Sequence, residues 1–387
     1  MNRSPHSRRL VGTFVGAVLL AFAVPMSAGA SNPAPSEVIA SAGVGTLNVS
    51  WSASSVVGTT FIVSSSPTGK GCTVVAVTHC SIVVTDTTPW QFRVRAKVGP
   101  AKSAPSALSA PVPTHLVVVL AGQSNAEGAR SYVVDPVTKI NYFATPFASA
   151  ADTLDRLTWL AWPKPDMLAP PSSDPVPLTT PQILSGVAVF GTEIGLARQL
   201  YADTKQTVTV IKATYPGTAL SGEWKPTRTN GLYQQMRDFV LATMSNDAAH
   251  GQFDVLASYV WFQGESDALL HNTHYRSELA ILLHSLRHDL PLNATAPIVV
   301  AKESILEREQ YEQVHGGCAK DNCSHAIEGN TIIRGADDWA GHHLAHIIVV
   351  DSAGLDRTIS SRYLHLSNVG ELVLGAKIAR RIEAFLP

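Results

Sequence analysis

The run Leu116-Val117-Val118-Val119-Leu120 constrains this chain more than any other stretch: five aliphatic residues, followed at once by Ala121-Gly122-Gln123-Ser124-Asn125. A half-exposed strand alternates apolar and polar residues, whereas an unbroken aliphatic run of this length suits a strand covered on both faces. Further short runs appear at Thr207 to Ile211, Val255 to Trp261, Ile298 to Ala301 and Ile347 to Val350. Between them apolar residues return at helical spacing: Leu232, Met236, Phe239 and Val240; Tyr275, Leu279, Leu282, Leu283 and Leu286; Leu374, Ile378, Ile382 and Phe385. Asn368, with Glu371 three residues later, is expected to cap the last of these helices. Strands alternating with helices predict an α/β domain over residues 114–387, a parallel sheet between two helical layers.

Residues 31–113 read differently. Short segments with period-two alternation, such as Leu47, Val49 and Trp51 or Phe92, Val94 and Ala96, are separated by Gly, Ser, Pro and Thr, the pattern of a small all-β sandwich. Ser103-Ala104-Pro105-Ser106 and Ser109-Ala110-Pro111-Val112-Pro113 read as its last strand and a stiff connector, because proline fixes φ.

Residues 1–30 have the layout of a secretory signal peptide: Arg3, Arg8 and Arg9, an apolar run from Leu10 to Met26, then Ser27-Ala28-Gly29-Ala30. The run is short for a membrane span and contains Pro25, and no later stretch is long and apolar enough, so a secreted chain free of the membrane is expected. An oxidising destination favours two local disulfides, Cys72 with Cys80 and Cys318 with Cys323. With 29 Lys and Arg against 30 Asp and Glu in 387 residues, the chain lacks the basic field a nucleic-acid binder needs. The sequence carries no reading of oligomeric state.

In an open α/β sheet the ligand site lies beyond the carboxyl ends of the strands. Four blocks of sequence stand out for such a site. Ser124 follows the first strand on a tight turn, as a nucleophile or as an ordinary N-cap serine; the surrounding residues are not the Gly-x-Ser-x-Gly elbow of α/β-hydrolases. Gly217, in Tyr215-Pro216-Gly217-Thr218, follows the second, where a backbone N–H could meet an oxyanion or simply make a turn. After the third come Gln263, whose amide could donate to an oxyanion, and Glu265, whose carboxylate could orient a histidine. His365 precedes the last helix; an imidazole, with an unperturbed pKa near ~6.5, can take a serine proton and return it to a leaving group.

These blocks, in this order, resemble the SGNH hydrolase superfamily, in its sialate O-acetylesterase and acetylxylan esterase branch, the sixth carbohydrate-esterase family. Gly122-Gln123-Ser124-Asn125 and Gln263-Gly264-Glu265-Ser266-Asp267 carry the likeness, with Gly191-Thr192-Glu193-Ile194-Gly195-Leu196-Ala197 and Gly217-Thr218 in support. The resemblance implies Ser124 as nucleophile, His365 as general base, and an oxyanion hole from the Ser124 and Gly217 N–H groups and the Gln263 side chain. Many superfamily members carry an aspartate three residues before the histidine, where this chain has Arg362, which cannot accept an imidazole N–H. The resemblance offers Glu265 as the acid of the triad, with Asp351, Asp356 or a backbone carbonyl as competitors. The N-terminal segment resembles a fibronectin type III domain through Val49-Ser50-Trp51, Ser65-Ser66-Pro67, Gly69-Lys70, Cys72, Cys80 and Trp90-Gln91-Phe92-Arg93-Val94, with Trp90 where a tyrosine is usual.

The expectation is a secreted serine esterase that removes O-acetyl groups from an acetylated carbohydrate, needs no cofactor, and uses no metal at His342, His343 and His346. Asn125, Trp159 and Trp162 are expected to contact substrate, the tryptophans from a Pro-rich insertion after Asp135. The rivals are a carbohydrate-binding or adhesive protein on a degenerate hydrolase scaffold, and a lipid or aryl esterase of the same superfamily.

Overall fold

Seven short strands open the chain in the computed structural model, which describes residues 32–129, 131, 133–134, 141–142, 155–160, 176–178, 182–184, 187–303, 320–358 and 364–386. The expected signal peptide, Trp162, Cys318, the side chain of Cys323 and Arg362 lie outside the described residues. The seven are β1 (Ser36–Ala42), β2 (Thr46–Ser52), β3 (Thr60–Ser66), β4 (Gly71–Val75), β5 (His79–Val83), β6 (Gln91–Val98) and β7 (Ala101–Lys102). They pair into sheets β1-β2-β5 and β4-β3-β6-β7. Leu47, Val49 and Trp51 from one sheet meet Phe92, Val94 and Ala96 from the other in a common core, as the alternation requires. A disulfide with an S–S distance of 2.00 Å joins Cys72 on β4 to Cys80 on β5, stapling the two sheets together.

The Ser/Pro-rich stretch that follows is tied down along β6. Ser103, Ser106 and Ser109 each accept, through the hydroxyl, from the N–H of Ala96, Val94 and Phe92 at 3.0, 2.9 and 3.1 Å. Their own N–H groups donate to the carbonyls of the same three residues. A serine every third residue keeps one face of an extended, proline-compatible chain supplied with hydroxyls, which complete a strand edge that the chain's own backbone would otherwise leave half paired.

The α/β domain comprises β8 (Thr114–Gly122), α1 (Ser124–Glu127), β9 (Val133–Val134), β10 (Asn141–Tyr142), β11 (Arg156–Trp159), β12 (Val176–Pro177), β13 (Gln182–Leu184) and β14 (Val187–Val189). It continues through α2 (Glu193–Thr204), β15 (Val208–Thr214), α3 (Leu232–Ala249), β16 (Phe253–Phe262), α4 (Glu265–Leu269) and α5 (Tyr275–Asp289). It closes with β17 (Ile298–Lys302), α6 (Lys320–His343), β18 (Ile347–Asp351) and α7 (Asn368–Glu383). Seven strands form the main sheet in the order β12-β11-β15-β8-β16-β17-β18, parallel except for β12. Alternate residues of β8 feed opposite layers: Val117, Val119 and Ala121 pack beside α3, α5 and α6, and Leu116, Val118 and Leu120 beside α2 and α7. The described architecture is thus the expected α/β/α sandwich of layers.

Two local expectations change. Ser367, not Asn368, caps α7, its hydroxyl accepting from Gly370 N at 3.1 Å; Asn368 is already helical. Arg156–Trp159, expected in a loop insertion, is a strand paired in parallel with β15, because Leu157 and Trp159 supply apolar side chains that the sheet buries.

The sandwich rests on the amino end of the sheet. Phe253 and Val255, from the start of β16, belong to the core formed by Leu47, Phe92 and Val112, and Phe253 N donates to Pro113 O at 2.8 Å. Thr114 donates to Thr87 O at 2.6 Å, and Thr87 to Gln206 at 2.8 Å. One strand of the α/β domain, β16, therefore begins inside the other module's core, and β8 starts hydrogen-bonded to its edge. Phe253→Ala is expected to cost about 3–5 kcal/mol and to lower the unfolding midpoints of both modules together; denaturant melts read by tryptophan fluorescence, with a proteolysis assay of each module, check it.

Candidate active site

At the carboxyl end of β8 the chain must turn within one residue. Gly122 adopts φ +147, and a Cβ there would lie 1.9 Å from the carbonyl oxygen of Phe262, so only glycine fits. Gln123 N then donates to Phe262 O at 3.1 Å and Tyr215 N to Gly122 O at 2.9 Å, lacing the ends of β16, β8 and β15 together. These are the strands where the sheet order reverses around its first strand, the position at which open α/β sheets bind ligands. Ser124, 8% exposed, opens α1 immediately beyond. As the first residue of a helical turn, its N–H has no acceptor within that turn.

A buried ion pair fixes α1 from below. Lys212, wholly buried on β15, donates to Glu127 O at 2.9 Å and to Glu193 Oε1 at 3.0 Å. The Gly191 N–H also donates to Glu193, at 2.9 Å. The pair joins the end of α1 to the start of α2, and either partner alone would be an uncompensated buried charge, worth roughly 3–5 kcal/mol of destabilisation. Burial pushes the nearby Glu127 carboxyl up to about 7, against the pull of Lys212.

Gly217 occupies a left-handed position at φ +69 in the turn after β15, and a Cβ built on it meets nothing within 4 Å, so the backbone there borders open space. The turn is pinned by Thr218: its hydroxyl donates to Tyr215 O at 2.7 Å and accepts from Trp224 Nε1 at 2.9 Å. The Gln263 amide nitrogen, at the end of β16, reaches Thr218 O and Gln123 Oε1, both at 3.0 Å, and Asp267 at 2.7 Å. All three neighbours are acceptors, which fixes the amide's orientation and joins the Ser124 and Gly217 turns. Asp267, fully buried, in turn accepts from Leu220 N, Ser221 N, Ser221 Oγ and Asn272 Nδ2 at 2.6–3.2 Å.

Asn125 draws the remaining groups together. Its Nδ2 donates to Glu265 Oε1 and, at 3.4 Å, to Leu364 O, while its Oδ1 accepts from Leu366 N at 2.9 Å. One carboxamide beside Ser124 thus holds Glu265 and both neighbours of His365. Arg357 grips the same segment, donating to Leu364 O at 2.8 Å and to Ser352 at 3.2 Å. Burial raises the proton affinity of Glu265; the Asn125 hydrogen bond, backbone N–H groups and the Arg357 charge work against it. Glu303, buried behind it, is pushed well above the usual carboxylate range by burial and by the Glu265 charge. Two buried acids so placed disfavour each other's ionisation, and both carboxyls are held above the usual range.

Among the described residues Glu265 Oε2 is buried without a hydrogen-bond partner. The competing carboxylates are engaged. Asp351 forms a two-point ion pair with Arg334 at 3.2 and 2.7 Å, and Asp356 accepts from the Ser367 hydroxyl.

Ser124, Gly217, Gln263, Glu265 and the His365 segment therefore meet at one edge of the sheet. Asn125 is 2% exposed and spends its amide on the protein, so it is a structural hub and not a surface for substrate. Trp159, 9% exposed, packs with Leu157, Leu178 and Val210 and offers no open wall for stacking a sugar. His342 and His343 bond through Nδ1 to the carbonyls of Asp338 and Trp339, at the end of α6. Sequence reasoning assigned no role to Asp267, Arg357 or Lys212. A lysine amid the apolar residues of β15 is a signal that a buried acid faces it; nothing local marks Arg357.

The family model described as carbohydrate esterase, sialic acid-specific acetylesterase, matches residues 114–384. No curated protein matches the chain. Among solved structures, a protein from Arabidopsis thaliana is 21% identical with a TM-score of 0.49, over 71% of this chain and all of its own. A carbohydrate acetylesterase from Xanthomonas citri is 15% identical with a TM-score of 0.47, over 91% of this chain and 75% of its own. A Fn3-like protein from Clostridium thermocellum is 22% identical with a TM-score of 0.18, over 20% of this chain and 91% of its own. With 271 of 387 residues under the family model, the chain belongs to the sialic acid-specific acetylesterase family of carbohydrate esterases and is a carboxylic ester hydrolase.

Proposed function

We propose that the protein is a secreted serine esterase that removes O-acetyl groups from carbohydrates, such as acetylated xylan, sialic acid or related sugars, through an acetyl-Ser124 intermediate. The observation that carries this reading is the Asn125 carboxamide, which bonds Glu265 and both neighbours of His365 beside Ser124. His365 takes the Ser124 proton as Oγ attacks the acetyl carbonyl, and the Ser124 and Gly217 N–H groups receive the oxyanion; the Gln263 amide, which faces Gln123, Thr218 and Asp267, joins them only by giving up one of those acceptors. On collapse His365 protonates the departing sugar hydroxyl; it then deprotonates the water that releases acetate. Glu265 holds the imidazole and balances its charge, a role supported by its unengaged Oε2 and by the commitments of Asp351 and Asp356.

The layout of residues 1–30 and the Cys72–Cys80 bridge support export. The strand orders β1-β2-β5 and β4-β3-β6-β7 support a fibronectin type III-like identity for the first module. Its seat at the amino end of the sheet favours a supporting role over direct contact with the acetyl group.

Ser124→Ala is expected to lower kcat for release of acetate from acetylated xylan or a chromogenic acetyl ester by roughly 10⁴–10⁶-fold. Unchanged turnover in the variant would remove Ser124 as the nucleophile, no acetate release by the parent would return the chain to the binding-protein reading, and a preference for long acyl chains would point to the lipid-esterase one. Glu265→Gln should cost on the order of 10⁴-fold in kcat while Asp351→Asn costs little; the reverse ranking would assign the triad to Asp351. Asn125→Ala, which frees the His365 segment without touching the nucleophile, should cost roughly 10–10²-fold in kcat with a smaller change in KM, read from steady-state kinetics on the same ester.

A further inference from the structure

Outside the esterase site, His271, His325 and Glu328 form a compact donor set. One ligand atom from each lies within 4.8 Å of the other two. His325 and Glu328 are three residues apart on α6 and so share a face of that helix. His271 comes from the turn just after α4. The two helices make a close fixed contact: a Cβ on Gly329 would lie 2.0 Å from Ala268 O, so the donors are presented by a stiff frame.

Three further features of His271 go beyond a chance surface cluster. Its backbone is left-handed, at φ +51, a costly conformation for a residue with a Cβ. The turn that enforces it is locked on both sides, with His271 N bonded to Ala268 O at 3.0 Å and Asn272 N to Asp267 O at 2.9 Å. Its Nδ1 lies 3.1 Å from the His325 carbonyl oxygen. Donation to that carbonyl places the ring's remaining lone pair on Nε2, the arrangement by which metal-binding histidines fix tautomer and direction.

We propose that His271, His325 and Glu328 bind a divalent first-row transition-metal ion, with zinc(II) the ion best suited to two imidazoles and a carboxylate. Such an ion takes its fourth ligand from water and clamps the end of α4 to α6. The imidazoles stack at 4.1 Å and 18°, so their lone pairs run side by side; convergence on one ion requires His325, which is exposed, to turn about χ2, a soft torsion. Bonds of ~2.0–2.2 Å bring the donors to roughly 3.3 Å of one another, a contraction from the present spread that side-chain rotation alone supplies. Because α4 begins at Glu265, the clamp stiffens a support of the esterase site without entering its chemistry. The proposal stands whether or not that site hydrolyses acetyl esters.

Calorimetric titration of the full chain, carrying no polyhistidine tag, with zinc(II) tests it, with cobalt(II) absorption as a second readout. The expected result is one equivalent bound at micromolar affinity or tighter, with a rise in Tm on adding zinc. His325→Ala and His271→Asn should each weaken binding at least tenfold and abolish the Tm rise; asparagine tolerates the left-handed backbone, so the second variant keeps the turn. A His342→Ala/His343→Ala variant should bind as the parent does. Binding only at millimolar zinc, or loss in the His342/His343 variant with His325→Ala unaffected, overturns the proposal.

Discussion

The esterase site depends on a single buried carboxamide. Asn125 follows Ser124 on a turn that Gly122 alone can make, and its three hydrogen bonds reach Glu265, Leu364 and Leu366, the last two more than two hundred residues away in the chain. A buried amide that loses a partner incurs the desolvation cost of that group, so each contact holds the others in place. Ser124, Glu265 and the His365 segment are thereby fixed relative to one another by one side chain.

The polar groups below that hub obey the same constraint. Strands covered on both faces leave no water to satisfy a charge, yet β15 carries Lys212 and the carboxyl ends of β16 and β17 carry Glu265 and Glu303. Each is answered from another element: Glu193 and the α1 carbonyl for Lys212, Asn125 and Arg357 for Glu265, Asn330 for Glu303. These answers fasten α1, α2, α6 and the segment before α7 to the sheet, so the interactions that neutralise buried charge also position Ser124, Glu265 and the His365 segment.

The two modules meet through the sheet's amino end, away from this layer. Phe253 and Val255 complete the sandwich core, and the Ser103, Ser106 and Ser109 hydroxyls keep the Ser/Pro-rich stretch bound along β6. The stretch read from the sequence as a last strand and a stiff connector is held along β6, because serine at every third position supplies the hydrogen bonds that proline cannot.

Periodicity alone determined the layers: an aliphatic run such as Leu116–Leu120 has no stable place except between two helical faces, and alternation over residues 31–113 has none except in a sandwich. Position after a strand likewise picked out Ser124, Gly217, Gln263 and Glu265, since parallel topology sends every strand's carboxyl end to one edge, and His365 stood out by its place before the last helix. Long-range partnership was beyond it. Trp159 reads as an exposed aromatic until β15 covers it, Asn125 as a substrate contact until Leu366 and Glu265 claim its amide, and Arg357 as one arginine among many until Leu364 O comes within 2.8 Å. Local pattern sets which faces are buried; which buried polar atoms meet depends on distances between residues far apart in sequence, and these exist only once the sheet has assembled.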